Sequence, residues 1–505
     1  MRFPALVIGL LVALGPTAAS ESPKVAVVMP YHGSYDPHWI YMAHELPEKV
    51  QEILSVTYDE YNIQVYPGSF ETYDVTKVRL QGGKEYVIHQ EEVNTGEEVL
   101  KTELGHALKE AEEFTNSGRD GLIVVLPAFV NRGGQHQCVE IPEVIDIILG
   151  DKVPKYSVHY EPFGITNWDR QNDIGIVPEL LFRNIQTEAE KTLTGPNGQG
   201  DPEDVFSAYK DKRLLDFLVD HKDEVGLLEI MFGTLRVGYW DDFKANAMYV
   251  LRGVAERLGN LLGTTIPVGE VDWALENPFV REGKAYFFAF QNPEIGPENW
   301  EKSRWEVRYE QFQKLMQSLC RQGVRYVVAF PYITVTGITD RKLFEGNPEH
   351  GPEGDEPEAY DYPEAILRHF GAELVAETVA DVRKYTYVQE GQEKTRTVYI
   401  NARIYRIPKE KLGTDADMYV IYVRRGLLDA PNATEKVARV YANYIATHLP
   451  TWLMEYEAVK GMKEGFEGEI NSLRKDVKSL KKRKVAVYPA VIALALAMIP
   501  PLRRR

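Results

Sequence analysis

The chain has 505 residues, 44% of them hydrophobic and 26% charged, which suits a folded body with room for two or three domains. Its 75 acidic against 58 basic residues give a formal charge of −17. Phosphate backbones need clustered Lys and Arg, so this balance excludes nucleic acid as a main partner, and the two cysteines, Cys138 and Cys320, provide no disulfide framework.

Residues 1–20 read as a signal peptide: Arg2 supplies the positive start, Leu6 to Leu14 the apolar centre, and Thr17 to Ser20 a small-residue cleavage region. The body is therefore expected outside the cytoplasm. "KVAVVMP" then reads as a buried strand, followed by helical spacing in "WIYMAHELPEKVQEIL", with a break or kink expected near Pro47. "ELGHALKEAEEFTNSG" is a second helix with a glycine stop, leading into the strand "LIVVLPAFV". Apolar strands alternating with longer helical patterns predict an α/β fold with a parallel sheet, assigned to residues 21–191.

A polar, Gly/Pro-rich linker (192–204) separates this half from a second one at 205–450. The same order recurs there: strand and turn in "VGLLEIMFGT", a long helix, a later helix "RYEQFQKLMQSLCRQG", and the strand "VRYVVAFPYITVTG". His32 stands nearly as far from Pro127 as Phe232 stands from Pro331, so the two halves read as tandem copies of one α/β unit. An acidic insertion (345–364), a β-hairpin in "RKYTYVQEGQEKTRTVYINARIYRI" and the strand "DMYVIYV" are expected to complete or decorate half two.

Residues 452–484 form a predicted helical stalk in which Phe466, Ile470, Leu473, Val477 and Leu480 step by four, three, four and three, a heptad seam through which copies could self-associate. The apolar run at 485–502 is short beside the roughly 20 residues a membrane-crossing helix needs. With basic clusters on both sides, it predicts a transmembrane or sorting helix that holds the body at the outer face of the cell membrane.

In open parallel sheets, ligands bind beyond the carboxyl ends of the strands. His32 stands at such an end. Gly33 allows the chain to turn there, and Ser34 is expected to cap the next helix. The second strand leaves through Pro127 and the turn Gly133-Gly134 to His136, after which Glu140 precedes another helix. Two imidazoles on opposite lips of one crevice suit a divalent first-row metal such as Co²⁺, Ni²⁺ or Fe²⁺, and a neutral imidazole can accept a proton from a pyrrole-type nitrogen. Cys138 is a further soft donor, while His89, Glu91, Glu92 and His106 suggest a rim that feeds cations. His38 and His44 lie on the first helix, six apart, which does not place them squarely on one face. The chain has no Walker loop, no GxGxxG between strand and helix, no HExxH and no CxxC, so no nucleotide is expected. Phe232 replaces the histidine in half two, and a phenyl ring neither ligates metal nor moves protons.

"HGSYDP" followed by "GGQHQCVEIPE" resembles the class II chelatases, that is, sirohydrochlorin cobalto- and nickel-chelatases and, more distantly, ferrochelatase. The resemblance implies two tandem chelatase-like domains with one site in half one. There His32 and His136 would be both catalytic residues and metal ligands, with Gly33, Ser34, Gly133 and Gly134 around the bound tetrapyrrole; Gln135 intervenes between Gly134 and His136. The implied reaction inserts Co²⁺, Ni²⁺ or Fe²⁺ as substrate into a sirohydrochlorin-like tetrapyrrole without ATP. Retention of both histidines favours this enzyme. Export favours an alternative, a non-catalytic surface protein of the same fold that binds metal, haem or a corrinoid.

Overall fold

Strands with unbroken apolar runs can only be satisfied when both faces are covered, which is the environment of a parallel sheet between helices. The computed structural model describes residues 23–34, 36–58, 60–69, 74–94, 99–134, 136–234, 236–295, 304–334 and 363–482. The leader, the apolar tail and all but the last two residues of the acidic insertion lie outside these. Among the described residues no helix is long and apolar enough to cross a membrane.

The chain is mixed α/β with parallel-sheet segments and a C-terminal helix. Four parallel strands run in the order Asn62–Ser69, Lys24–Tyr31, Gly121–Val125 and Val158–Tyr160. Lys24–Tyr31 is central, and its residues Val25 to Met29 are fully buried. The second sheet begins with the same order: Ala285–Gln291, Val225–Gly233, Tyr326–Pro331 and Met418–Val423 are also parallel. Three antiparallel strands, Ala402–Ile407, Glu373–Thr378 and Leu193–Thr194, extend it to seven. Residues up to Thr447 form one compact unit that contains both sheets, and residues from His448 form a second.

Two local expectations are corrected. Ser34 does not cap the first helix, Pro37–Thr57; Asp36 does, its carboxylate accepting the His38 N–H at 2.9 Å with Pro37 in the first turn. The Ser34 hydroxyl instead accepts the Asp36 N–H at 3.0 Å and holds the turn before the cap. That helix runs through Pro47 without a break, with Leu46, Val50 and Leu54 buried on either side of it. Finally, the hairpin Asp381–Gln389 and Gln392–Ile400 does more than decorate half two. It builds a separate four-stranded sheet with half one, pairing antiparallel with Val75–Leu80, and the Tyr385 hydroxyl meets His38 Nδ1 at 2.7 Å.

Strand Val225–Gly233 carries a carboxylate in its middle. Glu229 is fully buried, and neither of its carboxyl oxygens has a hydrogen-bond partner among the described residues. Met29 occupies the matching place in half one. Burial pushes the Glu229 carboxyl well above the usual carboxylate range. The folded state then binds the proton more tightly than the unfolded chain, so stability declines as pH rises above the ordinary glutamate value of about 4.3. Glu229→Met should stabilise the protein by about 1–3 kcal/mol at neutral pH, and the gain should shrink toward acid. Urea unfolding of both proteins between pH 4 and pH 8 measures this; a gain that does not depend on pH would contradict it.

Candidate functional site

His32 follows strand Lys24–Tyr31 directly, and His136 opens a short π-helical turn, His136–Glu140, beyond strand Gly121–Val125. These strands are parallel neighbours, so their carboxyl ends open side by side. The two imidazoles meet edge to face with ring centroids 4.7 Å apart at 86°. His32 is half-buried, and the His136 side chain keeps 33% of its surface exposed. The Phe129 ring stacks behind His136 at 6.4 Å.

Hydrogen bonding fixes which nitrogen each ring offers. His32 Nδ1 lies 2.6 Å from the Gly33 carbonyl oxygen, an acceptor only, so Nδ1 carries the proton and the ring lone pair sits on Nε2. His136 Nδ1 is 2.6 Å from Glu140 Oε2, which orients the second ring in the same way. A carboxylate behind a histidine fixes the ring's direction and tautomer. The sequence placed Glu140 only at a helix start; its spacing of four from His136 is the signal that could have assigned it as the partner.

The loop from strand Gly121–Val125 to His136 is clamped by half two. Gly133 and Gly134 have φ of +89° and +88°, the left-handed region that glycine enters without a Cβ penalty. The Gly133 N–H donates to Gln137 Oε1 at 3.3 Å, and the buried Gln137 donates in turn to the Asn131 carbonyl at 2.9 Å. From half two, Asp242 takes the Arg132 guanidinium, and Asn246 donates to Asn131 Oδ1 and Asn167 Oδ1 at 2.8 and 2.9 Å. The Tyr332 hydroxyl donates to Asn131 Oδ1 at 2.9 Å. No motif announced these residues, because each sits alone in a helical or apolar stretch.

Tyr239 of half two packs closely against Gly133: a Cβ there would come within 2.3 Å of its ring. Gly134→Ala carries the same φ strain with no atom within 4 Å of the added carbon. Gly133→Ala should therefore cut any activity that depends on His136 by roughly 10- to 100-fold, the scale of an ångström-sized misplacement, and Gly134→Ala by clearly less. Comparing both rates alongside thermal unfolding checks this; equal losses would contradict a role for the Tyr239 contact.

The remaining expected site residues separate. Gly33 is buried and supplies the carbonyl that orients His32. Ser34 is buried and lines a small cavity together with Tyr31, His44, Ser69 and Glu103. Cys138 lies near Tyr239 of half two and is the main influence that raises that phenol's pKa. His89 and His106 do come together, with rings 5.0 Å apart, but Glu91 pairs with Lys109 at 2.6 Å and His106 with Glu110 at 3.6 Å. Among the described residues, no three His, Cys, Asp or Glu side chains form a group that could hold a metal ion.

His38 and His44 are both buried parts of the scaffold. His44 Nε2 pairs with Glu103 Oε1 at 2.7 Å, and the Tyr31 hydroxyl donates to Glu103 Oε2 at 2.6 Å. Burial opposes charge on His44, yet Glu103 holds its pKa above the ordinary imidazole value. At the corresponding strand end of half two, Phe232 lies within strand Val225–Gly233 and keeps 39% of its surface exposed, while Val225 to Met231 before it are all buried. Comparison with family models, curated proteins and solved structures found no match.

Proposed function

We propose that the chain is a chelatase of the class II type, which inserts Co²⁺, Ni²⁺ or Fe²⁺ into a sirohydrochlorin-like tetrapyrrole without nucleotide. The observation that carries this reading is the contact between the His32 and His136 rings, 4.7 Å apart at the carboxyl ends of adjacent parallel strands. The repeated strand order in the two sheets supports a tandem pair of chelatase-like halves, one with the imidazole pair and one with Phe232 in its place.

The chemistry balances on these two rings. Each Nδ1–H is held by an oxygen acceptor, so each Nε2 can donate its lone pair to the incoming cation. Two nitrogen ligands leave most of the coordination sphere to water and to the macrocycle, which suits a metal in transit. As metal–nitrogen bonds form in the macrocycle, two pyrrole N–H protons must leave. Each imidazole that releases the metal regains a basic Nε2, so the pair can accept both. Glu140 then stabilises the imidazolium of His136, and the Gly33 carbonyl holds the Nδ1–H of His32. Export and attachment to the outer face of the membrane belong to the same proposal, on the strength of the leader at 1–20 and the apolar tail at 485–502.

The test is anaerobic addition of sirohydrochlorin and Co²⁺ or Ni²⁺ to the protein, followed by absorbance. A rate above the spontaneous one supports insertion. A rate equal to it, with metal or haem still bound stoichiometrically, replaces the enzyme with a surface binding protein.

A further inference from the structure

The last helix, Ala433–Lys482, continues well beyond Thr447, into the second compact unit. Its far part carries a row of apolar side chains turned to solvent. Val459 is 38% exposed, Phe466 65%, Ile470 45%, Leu473 63% and Val477 47%. Scattered exposed apolar residues need no explanation, but these repeat at heptad spacing along one helix. Val459, Phe466 and Leu473 take the d position of the heptad, and Lys463, Ile470 and Val477 the a position.

We propose that a second copy of this chain covers the row, as a parallel, in-register, two-stranded coiled coil over residues 459–480. Both orientation and number follow from the residues. β-Branched Ile470 and Val477 at a with Leu473 at d favour two parallel strands, and a lone polar Lys463 at a penalises higher oligomers and shifted registers. Charge decides between orientations. In a parallel pair each g residue faces the e residue five positions on in its partner. Glu469 at g then meets Arg474 at e, and the sequence repeats the pattern with Asp476 at g and Lys481 at e. In an antiparallel pair g faces g, which would bring Glu469 and Asp476 together as like charges. Burial of the row would remove apolar surface that the single chain leaves in water.

Two measurements on the full-length protein, in detergent, test the inference. Sedimentation should give a dimer that Ile470→Asp with Leu473→Asp converts to monomer. Mild oxidation of Leu473→Cys, a d position whose partner in a parallel pair is itself, should give a disulfide-linked dimer, and Lys475→Cys on the outer face should give at least tenfold less. A monomer, a trimer or tetramer, or equal cross-linking at the two positions would overturn it. None of these readouts depends on chelatase activity, so it can fail while the proposed function stands.

Discussion

Glu188→Gln is expected to destabilise the folded protein by about 3–5 kcal/mol, the usual cost of removing one partner from a buried ion pair. Glu188 lies on helix Ile176–Ala189 in half one and is fully buried. Its carboxylate takes Arg425 Nε at 2.6 Å, Lys191 Nζ at 2.9 Å, the Ala402 N–H at 3.1 Å and the Thr378 hydroxyl. Arg425, Thr378 and Ala402 all come from half two, so this one carboxylate ties the halves together. Burial opposes the Arg425 charge, and Glu188 is the largest of the opposing influences that keep its pKa raised. A guanidinium cannot shed its proton to escape, so a neutral amide in place of the carboxylate would leave a buried cation facing a weak acceptor. Asp381 also reaches Arg425, but it is 47% exposed and compensates less. Exchanging both partners for apolar residues, Glu188→Met with Arg425→Met, should recover much of the loss. Urea unfolding of the wild type and both variants is the measurement; a loss below about 1 kcal/mol in Glu188→Gln would show that the seam is held by other contacts.

His32→Ala and His136→Ala should each lower the rate of metal insertion by roughly 10²- to 10⁴-fold, the range for losing a positioned proton-transfer group. The double variant should be little worse than the poorer single one, because residues that act as a unit are strongly non-additive. Both rings are partly exposed, so unfolding midpoints should move little. A double variant whose loss is the product of the two single losses would separate the histidines into independent roles.

What could be read from residues alone follows the range of the forces involved. The apolar runs at 24–31 and 121–125 and their turns are local signals, so both the parallel strands and the approach of His32 to His136 were legible. The recurrence of strand, helix, helix and strand along the chain was legible for the same reason, whereas the shared order of strands within the sheets was not, since Asn62–Ser69, Val158–Tyr160 and Ala285–Gln291 carry weaker signals. The cap was misplaced by two residues because Ser34 and Asp36 can both accept backbone N–H groups, and only the position of Pro37 in the first turn decides between them. Pairings between distant segments were not legible. The hairpin at 381–400 looked like part of half two, since nothing in its alternating residues names Val75–Leu80 as its neighbour. Tyr239, Asp242 and Asn246 read as ordinary helix residues until their contacts with the 131–134 loop are known.

X-ray absorption of the protein loaded with one equivalent of Co²⁺ tests most directly whether the two imidazoles act as one metal-handling pair. Two imidazole ligands per cobalt are predicted in the wild-type protein, falling to one in either His32→Ala or His136→Ala. Imidazole scattering that is absent from the wild type, or unchanged in both variants, would contradict a shared site.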